Sequence, residues 1–215
     1  MSAAALVPKY FIDFKNQDGQ PWKFYLFLKD EVEREQRTYG IVAWYVSPKL
    51  VDTDSVHHFV WEEDYNFTWG VPGILSTGAV YQQRGLKPAN PNAKNQTTFR
   101  ILNENPEFTN PEPGGPLGFL KILIDRSVPG TPSSIGSGIS GSACTIFSCT
   151  NGLTNVASIG ISTGKHYSVG VSKDIKVGQV LEDKLEKTVQ LNFPPNKKKA
   201  TVVYGGDNKW NIEYS

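Results

Sequence analysis

Short segments rich in β-branched and aromatic residues recur along the whole chain, and most are bounded by Gly, Pro, Asn or Asp. Such punctuation predicts an all-β fold, an antiparallel β-sandwich or a flattened barrel. The turn sequences NQDG at 16–19 and GGDN at 205–208 tolerate positive φ, so each predicts a hairpin. The predicted strands are 9–14, 22–28, 39–46, 56–61, 65–69, 73–81, 97–102, 117–125, 142–147, 158–163, 166–171, 188–193, 201–204 and 209–214.

The segments between these strands carry weaker patterns. Charged stretches at 28–37 and 180–187 could form at most one or two short helices. Pro, Asn, Gly and Ser are concentrated in three stretches that predict long surface loops. These stretches are 84–95, 103–116 and 127–141, and the glycine-rich part of the last, 136–141, is expected to be a flexible connection.

Length, charge and cysteine content narrow the class of protein. Sandwiches of 215 residues are common as one unit, so we expect a single domain over 1–215. The 22 basic residues nearly balance the 21 acidic ones, and the formal charge of +1 argues against a nucleic-acid or membrane partner. Cys144 and Cys149 lie in no metal-binding or redox spacing, so we expect two reduced thiols.

The start of the chain and its hydropathy bear on location. Segment 1–9 has no basic region, and its apolar stretch ends at Pro8, which argues against a secretory signal. No apolar run approaches the roughly 18 residues of a membrane helix. We therefore expect a cytoplasmic protein.

The segment 59–69 is the most informative part of the sequence because it concentrates aromatic residues. A continuous strand here would favour a core position, since aromatic rings are what a sandwich buries. Glu63 is the exception, and it needs a partner or a bulge near 62–64 that turns it outward. Six residues would share one face of such a strand: Phe59, Trp61, Glu63, Tyr65, Phe67 and Trp69.

The pattern WxxDYxFxWxxxGxLxxG at 61–78 resembles the RhiA-like family, named for a rhizosphere-expressed bacterial protein and also found in fungi. The resemblance continues in VAWY at 42–45, LNFPPN at 191–196 and DNKW at 207–210, so it spans nearly the whole chain. It implies a compact β-sandwich-like domain without a helix-borne active site, and it carries no catalytic residues over. Glu62 and Glu63 replace an expected hydroxyl and apolar residue, so a shared ligand does not follow.

The aromatic surplus favours a binding protein over an enzyme. Aromatic residues make up 12% of the chain, and no nucleophile elbow, zinc motif, Walker loop or dinucleotide fingerprint is present. We predict a non-enzymatic protein that holds a small planar, partly apolar ligand, such as a pigment or another secondary metabolite, in an aromatic-lined pocket. The predicted ligand-binding residues are Trp44, Trp61, Glu63, Asp64, Tyr65, Asn66 and Trp69.

Other interpretations of the same residues stay open. A carbohydrate-binding, lectin-like host-interaction protein would need Trp69 or Trp210 at an open rim. Glu62 and Asp64 could ligate Ca²⁺ or Mg²⁺, or serve as a glycosidase pair, although carboxylates two residues apart are ordinary on a solvated strand. The segments 9–14 and 209–214 are natural edge strands through which a homodimer could pair.

Overall fold

The computed structural model describes residues 7–29, 39–128, 133–149, 158–163, 166–182 and 185–215, and the regular structure of these residues is all β. Alternating apolar residues, with Gly and Asn at the turns, account for most of the elements. The strands are β1 (Lys9–Asn16), β2 (Lys23–Leu28), β3 (Tyr39–Ile41), β4 (Tyr45–Val46), β5 (Val56–Glu62), β6 (Tyr65–Val71), β7 (Gln82–Pro88), β8 (Gln96–Leu102), β9 (Asn105–Phe108), β10 (Phe119–Ile124), β11 (Ser133–Ile139), β12 (Ser142–Cys149), β13 (Ser158–Ser162), β14 (Tyr167–Ser172), β15 (Thr188–Leu191), β16 (Lys199–Tyr204) and β17 (Trp210–Tyr214).

Two four-stranded sheets form the first sandwich. The β1 sheet has the order β17-β16-β1-β5, and the β2 sheet has the order β15-β14-β2-β4. All neighbours are antiparallel except β1 and β16, which run parallel. The rings of Phe14 and Phe24 stack between the sheets with centroids 4.9 Å apart, and the rings of Phe59 and Tyr45 do so at 5.6 Å. The sheets therefore pack face to face.

The second sandwich pairs a five-stranded sheet with a four-stranded one. The β6 sheet has the order β3-β12-β11-β6-β7, and the β10 sheet has the order β13-β10-β8-β9, in which β8 and β10 are parallel. Phe67, Ile135 and Phe147 from the β6 sheet pack against Phe99 and Ile122 from the β10 sheet. Both faces of the β6 sheet are covered, because Leu75, Tyr81 and Val180 pack on the face opposite this core.

The second sandwich is largely an insertion in the first. The chain leaves the first sandwich after β5, builds β6 to β13, and re-enters it at β14. Ile139 and Cys144, from β11 and β12, belong to the core cluster of the first sandwich, so the two sandwiches are in contact. The first crossing, at 63–64, and Thr163, which follows β13, position the candidate site described below.

The fold class and most predicted strands are confirmed, including the hairpin at 205–208 between β16 and β17. The prediction for 16–19 is wrong, because this turn passes from the β1 sheet to the β2 sheet. The Asn16 side chain stabilises it by donating from Nδ2 to the carbonyls of Gln20 and Val51, both at 2.8 Å. The predicted strand 39–46 is interrupted between β3 and β4.

Parts of all three predicted loops are strands, and one predicted strand is not. β7 begins just before the predicted loop 84–95 and continues into it. β9 lies within 103–116, and β11 lies within 127–141. Segment 73–81 forms turns that cover the β6 sheet instead of a strand. Segment 9–14 is also no edge, because β1 lies between β16 and β5.

β11 is glycine-rich because its neighbour leaves no room for side chains. A Cβ atom on Gly136 would lie 1.9 Å from the Thr145 carbonyl oxygen, and one on Gly138 would lie 1.9 Å from the Ser142 carbonyl oxygen. The close approach of backbones requires glycine at both positions. The predicted flexible connection is therefore the middle strand of a five-stranded sheet.

The two helical predictions concern residues that are only partly described. Segment 28–37 lies outside the described residues apart from its first two positions, and the described residues of 180–187 are not helical. Within the part of the chain that the structure describes, no helix has the length and apolar character needed to cross a bilayer.

Asp13, on the outer face of the β1 sheet, supports a prediction about acid stability. Its carboxylate accepts hydrogen bonds from Lys199 Nζ at 2.8 Å and from His58 Nδ1 at 2.7 Å. The hydrogen bond from Lys199 contributes most to holding the pKa of Asp13 below its ordinary value, and the bond from His58 acts in the same direction. Partial burial opposes them. A depressed carboxyl pKa stabilises the fold above the unfolded pKa, and this stability is lost as the pH falls through the folded pKa.

We therefore expect Asp13→Asn to lower the free energy of unfolding by up to about 1 kcal/mol at about pH 7, because the ion pair is partly solvated. The difference from wild type should shrink as the pH falls below the unfolded pKa of the carboxyl, and it should vanish only below the lowered folded pKa, where the wild-type carboxyl is protonated as well. Urea unfolding across this range measures it. The exposed Asp174→Asn is the control, with a change below about 0.5 kcal/mol. A difference for Asp13→Asn that persists unchanged at low pH would contradict the assignment.

Candidate functional site

The candidate site lies where the chain crosses between the two sandwiches, and we call it the junction site: Tyr10, Trp61, Glu63, Tyr65 and Tyr167. β5 ends at Glu62 and β6 begins at Tyr65, so Glu63 stands between two strands of different sheets. The Glu63 amide donates to the Pro8 carbonyl at 2.9 Å. The bulge expected near 62–64 is thus a change of sheet, which leaves Glu63 half-buried.

Two tyrosine hydroxyls hold the Glu63 carboxylate. The hydroxyls of Tyr65 and Tyr167 each lie 3.3 Å from Glu63 Oε1. The Tyr65 hydroxyl also lies 3.2 Å from the carbonyl oxygen of Thr163, which follows β13. Because a hydroxyl has one proton, Tyr65 shares or alternates between these two acceptors. The contacts join the first crossing and the residue after β13 at one carboxylate.

Aromatic rings form the wall beneath this carboxylate. Trp61 stacks on Tyr10 with centroids 5.3 Å apart, and its ring meets the edge of Tyr167 at 5.0 Å. Lys198 Nζ donates to the Tyr10 hydroxyl at 2.8 Å and lies 4.4 Å from the centre of that ring. The site therefore combines one half-buried acceptor with closely packed aromatic rings, of which Tyr10, Trp61 and Tyr167 are each 1% exposed.

The Tyr167 hydroxyl is a proton donor in this arrangement. Burial, followed by the negative charge of Glu63, raises the pKa of the Tyr167 hydroxyl far above its ordinary value. Both causes disfavour the phenolate and favour the protonated hydroxyl that donates to Glu63. The uncharged hydroxyls of Tyr65 and Tyr167 thus hold the Glu63 carboxylate in place without adding a positive charge beside it.

Tyr167→Phe should lower the free energy of unfolding by about 1 kcal/mol, because it removes one donor to Glu63 while water can still reach that half-buried carboxylate. Tyr39→Phe removes the same atom from an exposed ring and should change stability by less than about 0.5 kcal/mol. Chemical unfolding of the two variants measures the difference. Equal effects at both positions would mean that the contact between Tyr167 and Glu63 contributes nothing.

The predicted ligand-binding residues divide among three environments. Trp44 and Trp61 are each 1% exposed and lie in the core of the first sandwich, where their rings meet edge to face at 5.7 Å. Tyr65 is half-buried against both cores, and Trp69 is half-buried against the second. The structure therefore brings Trp61, Glu63 and Tyr65 together but leaves Trp69, four residues further along β6, outside the junction site.

Trp69 and Asn66 are accommodated by glycines on neighbouring strands. The Trp69 indole lies over Gly85, where an added Cβ would be 2.2 Å from Nε1. Asn66 points to the opposite face of β6, is 3% exposed, and has no hydrogen-bond partner for either amide atom among the described residues. An added Cβ on Gly138 would lie 2.8 Å from Asn66 Nδ2. Asn66 is therefore separate from the junction site.

The acidic residues predicted to bind metal lie apart from other ligand types. Glu62 is exposed and has Lys9 Nζ at 3.7 Å, and Asp64 is exposed with its carbonyl accepting from the Ser140 amide at 2.9 Å. Among the described residues, no three His, Cys, Asp or Glu side chains converge in the manner of a metal site. A Ca²⁺ or Mg²⁺ site at Glu62 and Asp64 stays a prediction.

Sequence reasoning missed two members of the junction site, Tyr10 and Tyr167. Both lie on strands that were predicted, but their approach to Trp61 depends on pairing between distant segments. Tyr10 lies opposite Trp61 in the register of β1 with β5, and Tyr167 lies opposite Leu28 in the register of β14 with β2. Alternation along each strand could have marked both as inward-facing, although not as neighbours.

The fold and the site define a class: an all-β protein of two packed sandwiches with an aromatic carboxylate site at their junction. Comparison with known proteins gives the family. The family model described as RhiA matches residues 7–215, and the chain is 29% identical over 212 residues to Protein RhiA of Rhizobium leguminosarum bv. viciae, covering 98% of this chain and 89% of that protein. The chain belongs to the RhiA family. No solved structure matches it.

Proposed function

We propose that this protein is a non-enzymatic binding protein and that the junction site holds a small planar, partly apolar ligand. The observation that supports it is the half-buried Glu63 carboxylate, which two tyrosine hydroxyls fix above the rings of Trp61 and Tyr10. Ligand sites in proteins are mostly apolar with a few well-placed polar groups, and this combination has that character. A pigment or another aromatic secondary metabolite fits the description.

The chemistry of the site specifies the ligand further. A carboxylate accepts hydrogen bonds, so the ligand should carry a hydroxyl or an amine at one edge. Charge-assisted bonds of this kind are roughly twice as strong as neutral ones. The flat part of the ligand would lie against the half-buried Tyr65 ring, because Tyr10, Trp61 and Tyr167 are each 1% exposed. Offset or edge-to-face contact with this ring is favourable.

Purification of the full chain from the organism that encodes it tests the proposal. We expect the native mass to exceed the polypeptide mass by that of one small molecule, with an absorption band beyond the tryptophan range. Reconstitution of the Glu63→Gln variant should weaken binding by about tenfold, because a charged acceptor is replaced by a neutral one. Asp64→Asn is the matched control, since Asp64 is exposed and outside the site. Absence of any bound compound, together with no tryptophan quenching by planar aromatic molecules, would exclude this function.

A lectin-like function is the second candidate, and the half-buried Trp69, which lies outside the junction site, favours it. The exposed part of an indole can stack on the apolar face of a sugar, and Trp69 is held against Gly85 at the edge strand β7. A glycan array distinguishes the two candidates. Binding there that is abolished by Trp69→Ala and unaffected by Glu63→Gln would support a lectin. A cytoplasmic location stays a prediction from the sequence.

A further inference from the structure

The strand β17 forms one edge of the β1 sheet, and its inner side is incompletely covered. Trp210, Ile212 and Tyr214 point towards the core of the first sandwich, yet all three remain half-buried. On the neighbouring strand β16, the inward residues Ala200 and Val202 are fully buried. The core of the first sandwich therefore reaches the surface along this edge.

The edge of the facing β2 sheet exposes apolar surface on the same side of the sandwich. Phe193, which follows β15, meets the Tyr214 ring at 5.4 Å, and the Asn192 amide donates to the Tyr214 hydroxyl at 2.8 Å. Phe193 and Val189 are half-buried as well. An aromatic and aliphatic strip thus runs between the two edge strands, and such exposed apolar surface commonly marks an interaction site.

The backbone of β17 is arranged to accept another strand. The Lys199 amide donates to the Ser215 carbonyl at 3.2 Å, and the Ser215 amide donates to the Lys199 carbonyl at 3.0 Å. In an antiparallel ladder such hydrogen-bonded pairs alternate with non-hydrogen-bonded ones, so Glu213 and Asn211 also bond to β16. The amides and carbonyls of Trp210, Ile212 and Tyr214 consequently point away from β16. No other described strand pairs with β17.

Charge selects a second copy of the chain as the occupant of this edge. Lys209 and Glu213 are exposed and lie on the same face of the strand, two positions either side of Asn211. If two β17 strands pair antiparallel about a two-fold axis through Asn211, each Lys209 stands opposite the other copy's Glu213. A two-fold contact of this kind uses the same surface on both subunits.

We propose that this protein forms a two-fold dimer in which the β17 strands of two copies pair antiparallel, centred on Asn211. The register gives two opposite-charge pairs, places Trp210 beside the other copy's Ile212, and joins two β1 sheets into one. A charge at a sheet edge ordinarily discourages pairing with arbitrary strands. Here each Glu213 is neutralised by Lys209 of the other copy, so the edge favours pairing with a second copy of the same chain.

Sedimentation equilibrium of the full chain tests the dimer, with charge variants as probes. Wild type should show a concentration-dependent mass of two chains. Lys209→Glu should raise the dimer Kd by about tenfold, since two like-charge pairs replace two opposite ones. Glu213→Lys should do the same, and the double variant should restore wild-type association. A wild type that stays monomeric at all concentrations, or a double variant that fails to recover, would overturn the proposal.

A cysteine at the axis tests the register independently. In the proposed pairing the two Asn211 Cα atoms form a non-hydrogen-bonded pair about 4.5 Å apart, which is within disulfide range. Asn211→Cys should therefore form a covalent dimer on mild oxidation. Wild type and Glu213→Cys are the controls, because residue 213 faces residue 209 in this register, and both should stay uncrosslinked. Crosslinking of Glu213→Cys in place of Asn211→Cys would exclude the register.

Discussion

Gly136→Ala is expected to lower the free energy of unfolding by about 3 kcal/mol or more, because the added methyl group would overlap the backbone of β12. Its Cβ would lie 1.9 Å from the Thr145 carbonyl oxygen and 2.8 Å from the Ile146 Cα atom. Backbone cannot rotate out of the way as a side-chain end can, so β11 and β12 would have to separate in the middle of the sheet. Urea unfolding followed by tryptophan fluorescence measures the loss.

Gly19→Ala is the matched control for this substitution. Nothing lies within 4 Å of an added Cβ on Gly19, and its φ is not in the left-handed region. The change should be neutral, or stabilising by a few tenths of a kcal/mol, because alanine restricts the unfolded chain more than glycine does. If Gly136→Ala were as stable as Gly19→Ala, the close approach of β11 and β12 would be wrong.

Trp61→Ala is expected to destabilise the protein by about 3–5 kcal/mol, the range typical of removing a large buried aromatic side chain. Trp61 is 1% exposed and its ring contacts those of Tyr10, Trp44 and Tyr167. The substitution leaves a cavity that these rings cannot close without moving. Thermal and urea unfolding measure the loss, and Leu117→Ala, at a side chain 77% exposed, should change stability by less than about 0.5 kcal/mol.

Trp61→Ala also bears on how binding experiments are designed. A variant that loses most of its stability cannot report on ligand contact, so binding through the Trp61 ring is better probed by Trp61→Phe, which keeps an aromatic surface. We expect Trp61→Phe to remain folded and to bind a planar ligand more weakly. A Trp61→Ala variant as stable as wild type would contradict the buried position of the ring.

Strands built from apolar alternation were predictable from the sequence, and those built from other residues were not. β1, β5 and β16 alternate buried and exposed residues along most of their lengths, which period-two patterns detect. β11 has the sequence SSIGSGI, whose glycines resemble a flexible loop unless the crowding by β12 is known. Local composition cannot report such a long-range constraint.

The opposite error arose at 73–81, where apolar residues indicated a strand. Leu75 and Tyr81 are buried because the segment lies across the β6 sheet as a cover, where it contacts Val180. Burial produces an apolar sequence whatever the backbone conformation, so composition alone did not distinguish a strand from a covering loop.

For the candidate site, the sequence identified the segment but not its geometry. Trp61, Glu63 and Tyr65 were predicted together because they are close in the chain. The strands 56–61 and 65–69 were predicted separately, but the common face expected along 59–69 was wrong, since β5 and β6 belong to different sandwiches and the change of sheet falls at Glu63. Tyr167 joins them across 104 residues of sequence, a contact that depends on the topology.

The parallel pairing of β1 with β16 has a consequence for how the chain folds. β1 pairs with β5 nearby in sequence but meets its second neighbour, β16, only in the last part of the described chain, whereas every strand of the inserted sandwich except β3 lies between β5 and β14. Contacts of such high sequence separation form slowly, and domains generally fold as units during synthesis. We expect the inserted sandwich to form first, with the first sandwich closing once β16 is available, so truncation within β16 should leave the inserted sandwich folded and β1 without its parallel neighbour.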